Sequence, residues 1–239
     1  MTTSGTASFN LELTDLVEEA FERCGKELRT GYDLRTARRS LNLLTVEWAN
    51  RGINLWTIEQ GSIPMVTGQS TYNLPVDTID LLDTVIRTGT GQGQTDINIS
   101  RISESTYSTI PNKNAQGRPI QVWINRQSGA DYPGTGVNHP KVVVWPTPNA
   151  PGDQYTFVYW RLRRIQDAGG GVSTQDIPFR FINCMVAGLA FYLASKLPDV
   201  MPDRILFLKS EYEQQLDLAS SEDREKAPIR FVPRNMFYT

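Results

Sequence analysis

The sequence holds one histidine, His139, and two cysteines, Cys24 and Cys184. Nucleophilic chemistry of the Ser-His-Asp or Cys-His kind needs a histidine held by a rigid shell. His139 precedes Pro140 in a turn-rich stretch, so it reads as an ordinary surface residue. A zinc centre needs several closely spaced nitrogen and sulfur ligands. The two cysteines lie far apart, each on the apolar side of a helical pattern, and read as buried reduced thiols. Gly89-Thr90-Gly91-Gln92-Gly93 superficially resembles a phosphate-cradling loop. Such loops open a helix whose N-terminus faces the phosphate. The next run here, Asp96–Ile102, is strand-like, so the glycines read as a flexible hairpin tip. The acidic run Glu222-Asp223-Arg224-Glu225 lies at a helix end, without the burial that separates the pKa values of a catalytic carboxyl pair. It reads as solvated or paired with a neighbouring subunit. Arg35, Arg38 and Arg39 share a helix face and suit a solvated surface, a salt bridge between subunits or a phosphate contact. The sequence therefore predicts no catalytic residue, no metal site and no cofactor.

The elements that carry these residues fall into three blocks. Leu13, Leu16, Val17, Ala20, Phe21, Cys24 and Leu28 recur at helical spacing and predict a helix over 14–28. A second helix is expected from Asp33, as N-cap, to Arg51, with Gly52 as its stop. Its apolar stripe is Leu34, Ala37, Leu41, Leu44 and Trp48. From Ile58 to Arg164 the chain shows short β-rich runs broken by Gly, Pro and Asn. Strands are expected at 58–66, 71–74, 84–88, 96–102, 120–126, 141–145 and 155–162, with one short helix at 103–110. The tryptophans and tyrosines, which can stack on bases, sit in strands or on helix stripes and read as core. After the Gly169-Gly170-Gly171 linker, helices are expected from Asp176 to Lys196 and from Pro202 to Lys226. The last of these would be about 36 Å long.

The expected fold is α+β. A helical bundle is built from the N- and C-terminal helices (1–57 and 172–239). An antiparallel β-sandwich or barrel-like domain (58–171) is inserted between them, and an extended tail (228–239) follows. Hydrophobic residues are 39% and charged residues 21%, as in ordinary globular proteins. The net charge of −2 lacks the basic excess of a duplex-binding protein. The start of the chain lacks the basic and apolar regions of a signal peptide. The most apolar stretch, 181–194, is too short to cross a bilayer, so no membrane partner is expected.

Pro228 and Pro233 exclude a helix in the tail, yet Ile229, Phe231, Val232, Met236, Phe237 and Tyr238 are large and apolar. Disordered tails are poor in such residues. This one either folds back on its own domain or docks on a partner. Lys226, Arg230 and Arg234, with no acid after Glu225, suit a partner surface with acidic rims.

Several segments together resemble a known family. They are the helix pair, Asn50-Arg51-Gly52-Ile53-Asn54-Leu55-Trp56, Val66-Thr67-Gly68-Gln69-Ser70-Thr71-Tyr72-Asn73-Leu74-Pro75, Gly117-Arg118-Pro119, Ala187-Gly188-Leu189-Ala190, and the long helix with its Pro- and aromatic-containing tail. The chain is similar to the head-to-tail adaptors of short-tailed phages, of the tail tubular protein A type. These are structural motifs, not catalytic ones. The resemblance implies a virion protein of the phage neck, assembled in the host cytoplasm. It implies a homo-oligomeric ring of about twelve copies under the portal protein, with genomic DNA passing through without sequence-specific binding. It also implies a β domain facing tail nozzle or tail fibre proteins. Carried onto this chain, Arg230, Phe231, Arg234, Phe237 and Tyr238 are candidates for portal docking. Arg35, Arg38, Arg39, Glu222, Asp223 and Glu225 are candidates for contact between subunits. The competing readings are a nozzle or stopper protein, a tail protein whose β domain binds a ligand, and a tail hydrolase. The last would need a convergent acid pair or metal cluster.

Overall fold

A computed structural model describes residues 3–7, 9–29, 31–127, 138–152 and 154–224. Five α-helices lie among them: α1 (Leu13–Arg23), α2 (Gly31–Asn50), α3 (Glu104–Ser108), α4 (Ile182–Ala194) and α5 (Pro202–Glu222). The chain divides into a helical unit, 1–55 with 166–239, and a β unit, 56–165.

In the helical unit, α4 is apolar on nearly every side and buried except at Asn183, which is exposed, and at Phe191 and Tyr192, which are half-buried. The buried stripes of α1 (Leu13, Leu16, Val17, Ala20, Phe21), α2 (Ala37, Leu41, Leu44, Trp48) and α5 (Leu208, Tyr212, Leu216, Ala219) complete this core. Gly188 of α4 permits the close approach, since a Cβ there would lie 2.9 Å from both Leu44 and Tyr212 side-chain atoms. Polar contacts fix the helices at the margins. Arg23 reaches Glu19, Glu211 and Asn183, each at 3.0 Å, and so ties α1 to α4 and α5. Lys196 donates to the buried Ser40 hydroxyl at 2.7 Å.

α1 ends five residues before the predicted Leu28. Gly25 adopts φ +75°, Lys26 N–H donates to Phe21 C=O at 3.0 Å, and Gly25 N–H donates to Glu22 C=O at 2.8 Å. This is a Schellman C-cap, which overrides the apolar periodicity continuing to Leu28. Gly52 closes α2 in the same manner, as expected, at φ +80°. Asp33 is not the N-cap of α2. It lies in the first turn, and its carboxylate accepts from Arg29 N–H at 3.4 Å. A 3-10 turn, Phe179–Phe181, precedes α4, and α5 stops at Glu222 rather than Lys226. The glycine-rich stretch at 169–171 is sewn to the start of α1. Thr14 donates to Gly171 C=O through both N–H and Oγ1 at 3.0 Å, and a Cβ on Gly171 would lie 2.8 Å from that hydroxyl.

The β unit holds β1 (Ile58–Pro64), β2 (Thr71–Asn73), β3 (Thr78–Thr88), β4 (Thr95–Asn98), β5 (Ser100–Ile102), β6 (Gln116–Gly117), β7 (Gln121–Asn125), β8 (Lys141–Trp145), β9 (Thr147–Pro148) and β10 (Tyr155–Arg163). One sheet has the order β1-β10-β3-β4 and is antiparallel throughout. The other has the order β2-β8-β7-β5, and β6 pairs with β9. Two expectations need correction. Among the described residues the sheets are open, and no closed barrel forms. The pairs β5–β7 and β6–β9 are parallel, so the unit is not wholly antiparallel. The single strand expected over 96–102 is two strands in different sheets. The chain crosses between them at Ile99, which packs on the core. One buried cluster draws on both sheets: Leu81, Ile86, Phe157 and Tyr159 from the first, Tyr72, Val122, Ile124, Val142 and Val144 from the second. Only Trp48 among the five tryptophans is fully buried. Trp56, Trp123, Trp145 and Trp160 are half-buried, because an amphipathic indole is satisfied at a core margin.

Arg161 is the electrostatic centre of the β unit. It pairs with Asp77 and, at 2.8 Å, with Glu59, which also accepts from Arg163 at 2.6 Å. The Arg163 hydrogen bond leads in holding Glu59 below its ordinary pKa of 4.5. Burial pushes Asp77 up, but the Arg161 hydrogen bond and charge outweigh it and hold it below 3.8. Depressed carboxyl pKa values mean stability present above the unfolded values and lost as pH falls through the folded ones. The β unit should therefore lose stability to urea on acidification below about pH 4.5. In Arg161→Met that acid dependence should be visibly flatter. Parallel acid curves for the two proteins would remove this network from the account.

Candidate functional site

None of the residues singled out for chemistry finds a catalytic setting among the described residues. His139 is half-buried rather than fully at the surface. Its Nδ1 lies 3.2 Å from Leu74 C=O, where it helps hold the segment before β8 against the end of β2. Leu74 N–H donates to Pro140 C=O at 2.8 Å in the same stretch. Cys24 and Cys184 are buried free thiols, pushed up to about 11 and about 12 chiefly by burial. Such thiols are poor nucleophiles. No group of three metal-ligating side chains occurs among the described residues. The segment at 89–93 joins the antiparallel strands β3 and β4. Gly89 and Gly91 take φ +75° and +60° there, as a tight hairpin connection requires. No helix among the described residues is long and apolar enough to cross a membrane.

What the helical unit does present is unpartnered surface. Successive helix residues turn by about 100°. Tyr32, Arg35, Arg39, Leu43 and Val46 therefore form one narrow outward stripe on α2, opposite its buried stripe, and all five are exposed. Leu43 is 55% and Val46 49% exposed. No acid belongs to the stripe, and neither Arg35 nor Arg39 makes a salt bridge among the described residues. Arg38 is turned to a different task, donating to Ala168 C=O at 2.9 Å.

The outward face of α5 has the opposite character. Leu206 (65% exposed), Phe207 (59%), Glu213, Asp217 and Leu218 lie on it, away from the buried Leu208, Tyr212, Leu216 and Ala219. Arg204 lies over the Phe207 ring at 5.8 Å. Lys209 sits 3.8 Å from Glu213, and Asp217 has no salt bridge among the described residues. Glu222 is exposed at the helix end. Asp223 is half-buried, and its Oδ2 accepts from Asn54 N–H at 3.1 Å, fixing the chain after α2. Glu225 and the docking candidates Arg230, Phe231, Arg234, Phe237 and Tyr238 lie outside the described residues. Sequence reasoning singled out Arg35, Arg38 and Arg39 together, and Arg38 is the one of the three that bonds within its own chain, to Ala168 C=O. The same reasoning passed over Glu213 and Asp217, whose outward placement follows from the buried stripe beside them.

A third feature is a groove of about 580 Å³ along α1. Asp15, Glu18, Glu19 and Glu22 line it, with Phe179, Ile182 and Val186 as apolar lining. It is concave and partly apolar, with a net acidic lining in which Arg23 pairs with Glu19.

A search of curated proteins finds no significant match. The sequence pattern that defines the SU10 adaptor proteins matches residues 12–232, nearly the whole chain. This chain belongs to the SU10 adaptor protein family, a family of structural phage proteins.

Proposed function

We propose that the protein is a head-to-tail adaptor of the phage neck. Copies form a ring of about twelve beneath the portal, continue the DNA channel and carry the tail. The observation that carries this reading is the family match over 12–232. The surfaces agree with it. Cyclic rings are built from two different complementary patches on each subunit, and α2 and α5 supply an apolar pair of opposite charge. A net charge of −2 suits a channel through which DNA slides without being gripped. In this reading the helical unit forms the ring wall. The β unit, its two sheets facing across their shared core as a sandwich, meets nozzle or fibre proteins. The basic tail, with Arg230, Phe231, Arg234, Phe237 and Tyr238, docks on the portal.

The test is to mix the full chain with its cognate portal ring and to sediment the mixture, beside a variant lacking 228–239. Co-sedimentation of the full chain and its loss on deletion are expected. Unchanged binding by the truncated chain would remove the tail from the portal contact and favour the acidic α1 groove as its seat. Failure of the full chain to join the portal would move a nozzle or stopper role ahead.

A further inference from the structure

We infer that the outward stripe of α2 in one copy packs antiparallel on the outward stripe of α5 in the next copy, with Arg35 on Asp217, Arg39 on Glu213, and Leu43 and Val46 on Phe207 and Leu206. This rests on the ring reading and names its interface.

The register follows from the axial rise of the two helices together with their charges. A helix rises about 1.5 Å per residue, so Arg35 and Arg39 are about 6 Å apart along α2, and Glu213 and Asp217 are about 6 Å apart along α5. Continuing from Arg35 toward the C-terminus of α2, Leu43 and Val46 follow at about 12 and 16.5 Å. Continuing from Asp217 toward the N-terminus of α5, Phe207 and Leu206 follow at about 15 and 16.5 Å. Run antiparallel, cation meets anion twice, the stem of Lys209 lies beside Leu43, and the apolar ends Leu43–Val46 and Phe207–Leu206 meet within the following turn. Run parallel, the apolar pair of α2 would lie beyond Asp217, where Ser220, Ser221 and Glu222 follow.

The occupant is fixed by charge and apolarity together. Nucleic acid would satisfy the two arginines but leave Leu43 and Val46 uncovered, and it would find Asp217 repulsive. A second copy satisfies both stripes at once. Because the two patches differ, the contact is heterologous and propagates from copy to copy, as a closed ring requires. Arg38 and Asp223 are not needed, since each already serves its own chain through Ala168 and Asn54.

The test uses three full-length variants: Arg35→Glu with Arg39→Glu, Glu213→Arg with Asp217→Arg, and all four changes together. Ring assembly on the cognate portal is measured by native mass spectrometry, and far-UV circular dichroism checks folding. All four positions are exposed, so the variants should fold like the parent. Each two-site variant places like charges at every contact and should lower the assembled fraction at least about tenfold. The four-site variant restores opposite charges at every contact and should assemble within about threefold of the parent. A one-to-one mixture of the two two-site variants should also recover, as an alternating ring. Wild-type rings with two-site variants that assemble equally well would overturn this interface and leave the ring reading standing. Loss without recovery in the four-site variant and the mixture would overturn it as well. Absence of rings from the wild-type protein, with and without portal, would overturn the ring reading itself.

Discussion

Trp48→Ala is expected to cost the helical unit about 3–5 kcal/mol. The indole is fully buried on α2, its ring centroid 5.5 Å from that of Phe181. Its Nε1–H donates to the Tyr212 hydroxyl at 3.1 Å, tying α2 to α5 across the core. Truncation removes the largest buried side chain of the unit, leaves a cavity beside α4, and strands a buried hydroxyl that had accepted a hydrogen bond. Domains are stable by only about 5–15 kcal/mol, so a loss of this size moves the unit close to unfolding. Trp48→Phe keeps most of the apolar volume and should cost about 1–2 kcal/mol, mainly through the lost hydrogen bond. Urea titration with hydrogen exchange resolved by segment reads both. Protection should fall in α1, α2, α4 and α5 in the alanine variant. A loss below about 1 kcal/mol would show that the four helices do not depend on this anchor.

Gly61→Val is expected to destabilise the β unit by about 2–3 kcal/mol. Gly61 of β1 stands opposite Tyr159 of β10, whose ring lies across the glycine. A Cβ there would come within 2.7 Å of three Tyr159 side-chain atoms, so the ring must shift. The ring is buried and stacks on Phe157 at 5.6 Å, so displacing it also disturbs the core shared by the two sheets. The usual preference for valine over glycine in a strand acts in the opposite direction but spans only about 1 kcal/mol. A double-mutant cycle with Tyr159→Ala isolates the clash. The valine should cost much less when the ring is absent, because the two changes share one contact. Strict additivity would mean that the tyrosine moves aside freely.

Local pattern made the helices legible. The stripes Leu16-Val17-Ala20-Phe21 and Leu208-Tyr212-Leu216-Ala219 are buried as their spacing requires, and Gly52 ends α2 as its type suggests. The end of α1 was hidden because Leu28 prolongs the stripe, while the geometry that wins resides in Gly25. Strand pairing is non-local, and there the sequence ran out. The first half of β3 carries Asp80 and Asp83, residues that disfavour strands. Pairing with β10 holds it extended, and Arg101 and Arg126 meet the Asp80 carboxylate at 2.9 and 3.4 Å. The passage from β4 to β5 was illegible because nothing in 95–102 says which sheet each half joins. β6 and β9 are two residues each, too short for any periodic signal.

The surface followed the same division. The α2 arginines stood out because no acid shares their stripe. The internal duties of Arg38 and Asp223 depend on Ala168 and Asn54, far away in sequence. Glu213 and Asp217 are less conspicuous in sequence than the dense acidic run at 222–225, because only the buried stripe beside them places them on the exposed face of α5.

The central claim, that copies of this chain assemble as a ring on the portal, is tested most directly by imaging the cognate portal ring incubated with the full-length protein by cryo-electron microscopy. The account predicts one additional ring, coaxial with the portal, with α2 of each copy against α5 of the next and an open central channel. Portal rings that stay bare, or that carry scattered single copies without contact between neighbours, would contradict it.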